Sequence, residues 1–352
     1  MTPRNLLVGS FGLGTVLACV AIGAFATGIE QPSATRGQVG SCTAYSGLPA
    51  EQGETGSMAF IAGGVFTMGS GRHRPEERFP HTVRVDGFWI DRHEVTNAQF
   101  RQFVDATGYV TLAERGLDPK THPNLPAELL APGSTTFVAP MDRQGGRVTQ
   151  WFQYVVGANW RQPAGPGSST AGKDNHPVAH VAYEDALAYA RWRGRSLPTE
   201  AQWEFAARGG REGEDDWSSA FDPSGKPVAN TWQGLFPVLN TEEDGHAGTA
   251  PVGCFPPNSY GLYDMIGNVW EWTSDWYHPS HPRDAAVNPA GPDLTTIRIS
   301  LGQPASRVIK GGSYLCAHNY CARYRPAARQ PQEVDLSAAH IGFRTVLNRP
   351  GL

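Results

Sequence analysis

The stretch Arg195-Ser-Leu-Pro-Thr-Glu-Ala-Gln-Trp-Glu-Phe205 decides how the rest of the chain is read. Thr199 followed three residues later by Gln202 is a helix-start signature, in which each side chain caps the other residue's backbone N–H. Trp203, Ala206 and Ala207 then share one helical face, and Gly209-Gly210 ends the run. The same grammar recurs upstream. Thr96 and Gln99 open a helix whose stripe is Phe100, Phe103 and Val104 and whose stop is Gly108. Another helix runs from about Tyr183 to Trp192, with Gly194 as its left-handed stop. Around these three modest helices the pattern is of short strands. Met58 to Met68 reads as two strands about a Gly-Gly turn, and His81 to Ile90 alternates apolar and polar like a half-buried strand pair. Residues 115–175 read as insertions and long loops, and Asn230 to Arg344 as short aromatic strands and turns. The fold class is therefore α+β: one domain, rich in irregular structure.

Composition agrees. The chain has 352 residues with 41 Gly and 28 Pro, close to one residue in five and above the roughly 12% of average usage, so turns are abundant. Hydrophobic residues at 40% and charged residues at 18% exclude a disordered chain. A formal net charge of −4, without a basic block, argues against a nucleic-acid partner.

Residues 1–26 stand apart. Arg4 precedes an uncharged run from Leu6 to Ile29, and Ala24-Phe25-Ala26 fits a signal-peptidase site, so 1–26 reads as a signal peptide or as a membrane anchor. Either way the rest is expected to be exported: periplasmic, extracellular or in the lumen of a secretory pathway. Residues 27–56 read as a flexible linker and 57–348 as the domain. Export favours paired cysteines. Beyond the leader these are Cys42, Cys254, Cys316 and Cys321, too few for a disulfide scaffold.

Three segments carry residue types that packing alone does not call for. Asn230-Thr-Trp-Gln-Gly and Asn240-Thr-Glu-Glu-Asp-Gly-His246 put amide and carboxylate oxygens on Gly-containing turns, which suit a hard cation such as Ca²⁺ or form a solvated acidic turn. Asp264 and Glu271 stand seven positions apart in Tyr260-Gly-Leu-Tyr-Asp-Met-Ile-Gly-Asn-Val-Trp-Glu-Trp272. They could clamp a second hard ion through intervening carbonyls, or simply edge an aromatic core. In Lys310-Gly-Gly-Ser-Tyr-Leu-Cys-Ala-His-Asn-Tyr-Cys321 the C-x₄-C spacing lacks the second ligand pair of a zinc site. Two thiolates alone match a soft ion such as Cu(I), a local disulfide, or two buried thiols.

The chain resembles the formylglycine-generating enzymes, or sulfatase-modifying factors, from about Met58 to Val346. The markers are Gly-Gly-x-Phe-x-Met-Gly at 63–69, Arg92 to Asn97, His176-Pro-Val, Arg195 to Phe205, Gly267 to Trp272 and Gly342-Phe-Arg344. Gly-Gly-Ser-Tyr-x-Cys-x₄-Cys at 311–321 is similar to the catalytic segment of the true oxidases. The resemblance implies a fold related to the C-type lectins and held by two Ca²⁺ ions. It also implies a Cu(I)- and O₂-dependent oxidase that converts the cysteine of Cys-x-Pro-x-Arg in an unfolded sulfatase to Cα-formylglycine.

Carried over, Cys316 and Cys321 would hold copper, while Ser313 and Trp270 would line the oxygen pocket. The first calcium set would be Asn230, the Thr231 carbonyl, Asp244 and the His246 carbonyl. Asp264, the Gly267 and Val269 carbonyls, and Glu271 would form the second. Pro326 and Thr345 stand where vertebrate-type members have further cysteines, and His340 stands where relatives often have Asn. The rival reading is a lectin-like binding protein without chemistry, against which the intact Cys316, Cys321 and Ser313 speak. An iron sulfoxide synthase would need a further three-histidine metal domain, for which there is no room before Met58.

Overall fold

The computed structural model describes residues 55–140, 151–212, 220–301 and 306–349. The signal peptide or anchor read at 1–26, most of the linker, and Cys42 lie outside them.

The three helices form with the caps their sequences encode. Helix α1 is Asn97–Thr107. Thr96 and Gln99 exchange both capping bonds, at 2.9 and 3.2 Å, and Gly108 closes it at φ 66°. Two single-turn helices follow, α2 (Leu112–Arg115) and α3 (Ala127–Leu130), then α4 (Tyr183–Trp192), α5 (Glu200–Arg208) and α6 (Leu294–Leu301). In α5 the Thr199–Gln202 exchange measures 3.0 and 3.1 Å, and Trp203 is fully buried.

Three of these elements correct the sequence reading. Helix α2, just before the stretch read as loops, was not read from the sequence, α3 interrupts that stretch, and α6 lies where only strands and turns were expected. The stretch 115–175 also contains a hairpin of β5 (Gly133–Phe137) and β6 (Phe152–Val156). Its pattern is weak because its stabilising contacts are distant in sequence: Phe137 packs on Trp232 and Phe236 at centroid distances of 5.7 and 5.4 Å.

The first strands are β1 (Met58–Ile61), β2 (Gly64–Met68), β3 (His81–Val85) and β4 (Phe88–Asp91). The two strands either side of Gly63 pair not with each other but with β4 and β3, so the turn is a crossover between two small sheets. Apart from the two-residue strands β7 (Gly234–Leu235), β8 (Leu239–Asn240) and β10 (Ala286–Val287), a four-stranded sheet holds the second half, in the order β12 (Arg329–Glu333), β11 (Ser306–Lys310), β9 (Trp270–Trp276), β13 (Ile341–Gly342). The cysteine segment leaves the end of β11. Successive residues of a strand face opposite ways. Trp270 and Trp272 accordingly enter the core that holds Cys316, Cys321, Phe100 and Phe343, while Glu271 bonds Trp203 of α5.

Where vertebrate-type relatives are expected to place a cysteine, Thr345 instead bonds a buried carboxylate. Its backbone N–H and hydroxyl both donate to Asp91, at 2.8 and 2.6 Å, and Arg195 donates to the same side chain at 2.8 Å.

Candidate active site

After Lys310 the backbone passes through Gly311 and Gly312 at φ 94° and 76°. A side chain at Gly312 would also put its Cβ 2.9 Å from the Tyr324 nitrogen. Only glycine allows both that conformation and that approach. The turn delivers Ser313, fully buried, whose carbonyl accepts the Cys316 N–H at 2.9 Å. The Cys321 N–H reaches the Ala317 carbonyl at 3.1 Å, and the Cys316 carbonyl accepts the Trp232 N–H at 3.1 Å. This compact loop sets the Cα atoms of Cys316 and Cys321 4.6 Å apart, and the pair is joined as a disulfide. Of the three states left open by the spacing, the structure shows the oxidised one. Cys254 is disulfide-bonded as well.

Cys316 and Cys321 are 1% and 7% exposed. They share their core cluster with Trp270, Ile309 and Tyr324. Once reduced, the pair offers two sulfurs in an apolar setting, a donor set for a soft, low-coordinate ion. Beside it stands an aromatic wall that sequence reading missed: Phe236 stacks on Tyr320 at 4.3 Å, and Trp151 meets both edge-on. The wall joins residues far apart in the chain, so no local pattern marks it. His340 accepts the Trp270 N–H on its carbonyl at 2.8 Å, and burial pushes its imidazole pKa down to about 4.

The two oxygen-rich segments converge on the same region. Gly267 approaches so closely that a Cβ there would lie 2.3 Å from the Asn230 carbonyl oxygen, and Asn268 donates to that carbonyl at 2.8 Å. In the first set Asp244 accepts the Thr231 and His246 N–H groups at 3.0 and 2.9 Å, which brings together three of the four predicted residues. The buried Asn230 Oδ1 has no hydrogen-bond partner among the described residues. An orphaned acceptor oxygen beside a carboxylate is what an oxygen-seeking cation satisfies.

The second set is more crowded than expected. Glu271, fully buried, receives a fork from Arg344 at 2.7 and 2.8 Å and the Trp203 indole N–H at 2.8 Å. Asp264 accepts the Gly253 N–H at 2.7 Å, and burial raises its pKa to about 6. A third carboxylate, Glu94, joins them from the Arg92 to Asn97 motif. It is fully buried, accepts Asn268 Nδ2 at 3.1 Å on one oxygen and leaves the other unpartnered among the described residues. Burial, then the charge of Asp264, pushes its pKa well above the usual carboxylate range. Three carboxylates around the Arg344 cation leave a negative excess, which fits a second cation. The signal for Glu94 was present in its motif, but nothing there marks it as facing Asp264.

A different group has metal-like geometry and no such excess. Glu200, Glu204 and His281 bring ligand atoms within 4.8 Å of one another. Lys310 lies 3.0 Å from Glu204 and 3.6 Å from Glu200, Arg329 forks onto Glu200, and Arg208 pairs with Glu204. Burial alone would raise the pKa of Glu204, yet Lys310 and Arg208 bring it down to about 2. The cluster is already neutralised, and it ties the end of β11 to α5.

Residues 45–349 match the Sulfatase-modifying factor enzyme 1-like domain. The chain is 50% identical over 293 residues to the Formylglycine-generating enzyme of Mycobacterium tuberculosis, covering 81% of this chain and 96% of that protein. It is 39% identical to the Inactive C-alpha-formylglycine-generating enzyme 2 of Mus musculus, over 82% of this chain and 84% of the relative. The solved structure of PvdO from Pseudomonas aeruginosa shares the fold, with a TM-score of 0.52 at 23% identity over 84% of this chain and 96% of that one. A match this long, whose span includes the cysteine loop and the carboxylate cluster, makes the chain a member of the sulfatase-modifying factor, or formylglycine-generating enzyme, family.

Proposed function

We propose that this chain is an active formylglycine-generating oxidase. It takes the cysteine of a Cys-x-Pro-x-Arg segment in an unfolded sulfatase to Cα-formylglycine with O₂, in an exported compartment. The observation that carries the reading is the pair Cys316 and Cys321, juxtaposed in an apolar core cluster that includes Trp270, with Ser313 at the start of their loop. Reduced, these two cysteines would hold Cu(I). When bound, that ion supplies the one-electron chemistry that O₂ needs and no side chain offers. Trp270 excludes water from the reacting face, Ser313 holds the turn on which Cys316 sits, and the buried wall of Trp151 and Phe236 packs on Tyr320, the neighbour of Cys321.

The test is mass spectrometry of a Cys-x-Pro-x-Arg peptide incubated with the reduced protein, Cu(I) and O₂. The expected product has aldehyde oxygen in place of the thiol, formed faster from the peptide or a denatured sulfatase than from the folded enzyme. An unchanged peptide mass would favour the non-catalytic binding protein, a reading that the inactive relative keeps in play.

Calcium belongs to the proposal, on Asn230, Thr231, Asp244 and His246 and on Asp264, Gly267, Val269 and Glu271. A strong calcium chelator should lower the melting temperature. A site held at a hundred times its Kd contributes about 2.7 kcal/mol, worth several degrees in a domain of this size. An unchanged melting temperature removes the calcium assignment.

A further inference from the structure

The two ends of the cysteine loop are held by different parts of the molecule. The Cys316 end rests on Ser313 and Trp232. The Cys321 end is gripped by the crossing between β2 and β3, residues 69–80, which contains a single 3₁₀ turn at Pro75–Glu77. Arg74 donates to the Cys321 carbonyl at 3.4 Å. Glu76 pairs with Arg323 at 2.6 Å. Glu77, fully buried, receives both arms of the Arg325 guanidinium at 2.7 and 2.6 Å. The crossing is itself anchored, through Ser70 N–H on the Glu77 carbonyl at 2.8 Å and Gly69 N–H on Glu204 at 2.9 Å.

A second observation shows that the grip imposes a conformation. Ala322, next to Cys321, sits at φ 44°, a left-handed geometry that a residue with a Cβ rarely adopts. Such strain persists only where surrounding contacts over-determine the backbone. Here Arg74 fixes the peptide before Ala322, Arg325 Nε bonds the Ala322 carbonyl at 3.0 Å, and Arg323 is fixed by Glu76.

We propose that residues 69–80 act as a positioning strap which, through Arg74, Glu76 and Glu77, holds Cys321 against Cys316. The strap thereby sets how readily the pair exchanges between dithiol and disulfide, and how tightly the dithiol grips a soft monovalent ion. The second half of this statement rests on the copper reading above; the first does not. Both follow from effective concentration: two sulfurs held together react or chelate as one unit, and loosening one end costs affinity for every bridging partner.

The experiment uses the full chain in glutathione buffers, where reduction of the pair consumes two glutathiones and releases one glutathione disulfide. The 316–321 peptide is followed after thiol trapping, and Cu(I) affinity is measured separately by chelator competition. The Glu76–Arg323 pair is 14% and 20% exposed, so Glu76→Ala and Arg323→Ala should leave a folded protein. Each is expected to shift the equilibrium toward dithiol by about tenfold, or about 30 mV, and to raise the Cu(I) Kd by a similar factor. The charge-reversed double variant, Glu76→Arg with Arg323→Glu, should recover most of both.

Asp91→Asn breaks a buried pair outside the strap and should lower the melting temperature without moving either constant. If Arg323→Ala and Glu76→Ala leave the dithiol equilibrium where it was, or Asp91→Asn moves it as far, the strap is refuted. A native chain that takes up no Cu(I) instead sinks the copper reading, and the dithiol equilibrium, which needs no metal, still decides the strap.

Discussion

Cys316→Ser and Cys321→Ser are each expected to bring peptide oxidation and stoichiometric Cu(I) binding to background while the protein stays folded. A single thiolate cannot complete a two-coordinate site, and a hydroxyl is a hard, poorly ionised donor with little affinity for a soft ion. The structural cost is bounded. Losing a cross-link that closes so short a loop removes roughly 2 kcal/mol on the chain-entropy model, a shift of a few degrees. A purely structural bridge would give the same modest loss of stability but with activity retained in whatever remains folded. Copper titration and thermal melts on both variants separate the cases, and a destabilised but active variant ends the copper assignment.

Arg344→Met should be the most destabilising of the single changes considered. Arg344 is fully buried; its fork neutralises Glu271, its Nη2 also donates to the Tyr263 carbonyl at 2.9 Å, and its Nη1 donates to the Asp91 carbonyl at 3.2 Å. Without it Glu271, Asp264 and Glu94 share one buried volume with no guanidinium between them. Removing one partner of such a pair costs about 3–5 kcal/mol, because the remaining charge stays buried and uncompensated. Urea unfolding should show a lower midpoint with an unchanged slope, the mark of lost stability rather than an altered unfolded state. Arg344→Lys keeps the charge but loses the planar fork, so its loss should be smaller. A midpoint that hardly moves in Arg344→Met would mean that the carboxylates are balanced by something other than Arg344.

The helices were legible because their signals are local. Thr96 with Gln99 and Thr199 with Gln202 close their capping exchanges within one turn, and Gly108, Gly194 and Gly209 supply left-handed stops at φ 66°, 67° and 57°. The β5–β6 hairpin was not legible. Its strands carry no strong alternation, and they are held by Trp232 and Phe236, roughly a hundred residues away in the chain.

Residue types and spacing by themselves determined the α+β class, the placing of the capped helices, the cysteine pair on its Gly-Gly turn, and the oxygen-rich segments at 230–246 and 264–271. Those are properties of neighbours along the chain, which propensity and capping chemistry can read. Only the tertiary structure decided that the pair is closed as a disulfide, that Glu94 and Arg344 join Asp264 and Glu271, and that Arg325 is locked to Glu77 across 248 positions of sequence. The physical reason is burial. A carboxylate's charge, a guanidinium's partner and the strain at Ala322 acquire their cost or benefit from what surrounds them once water is excluded, and a linear chain does not state its surroundings.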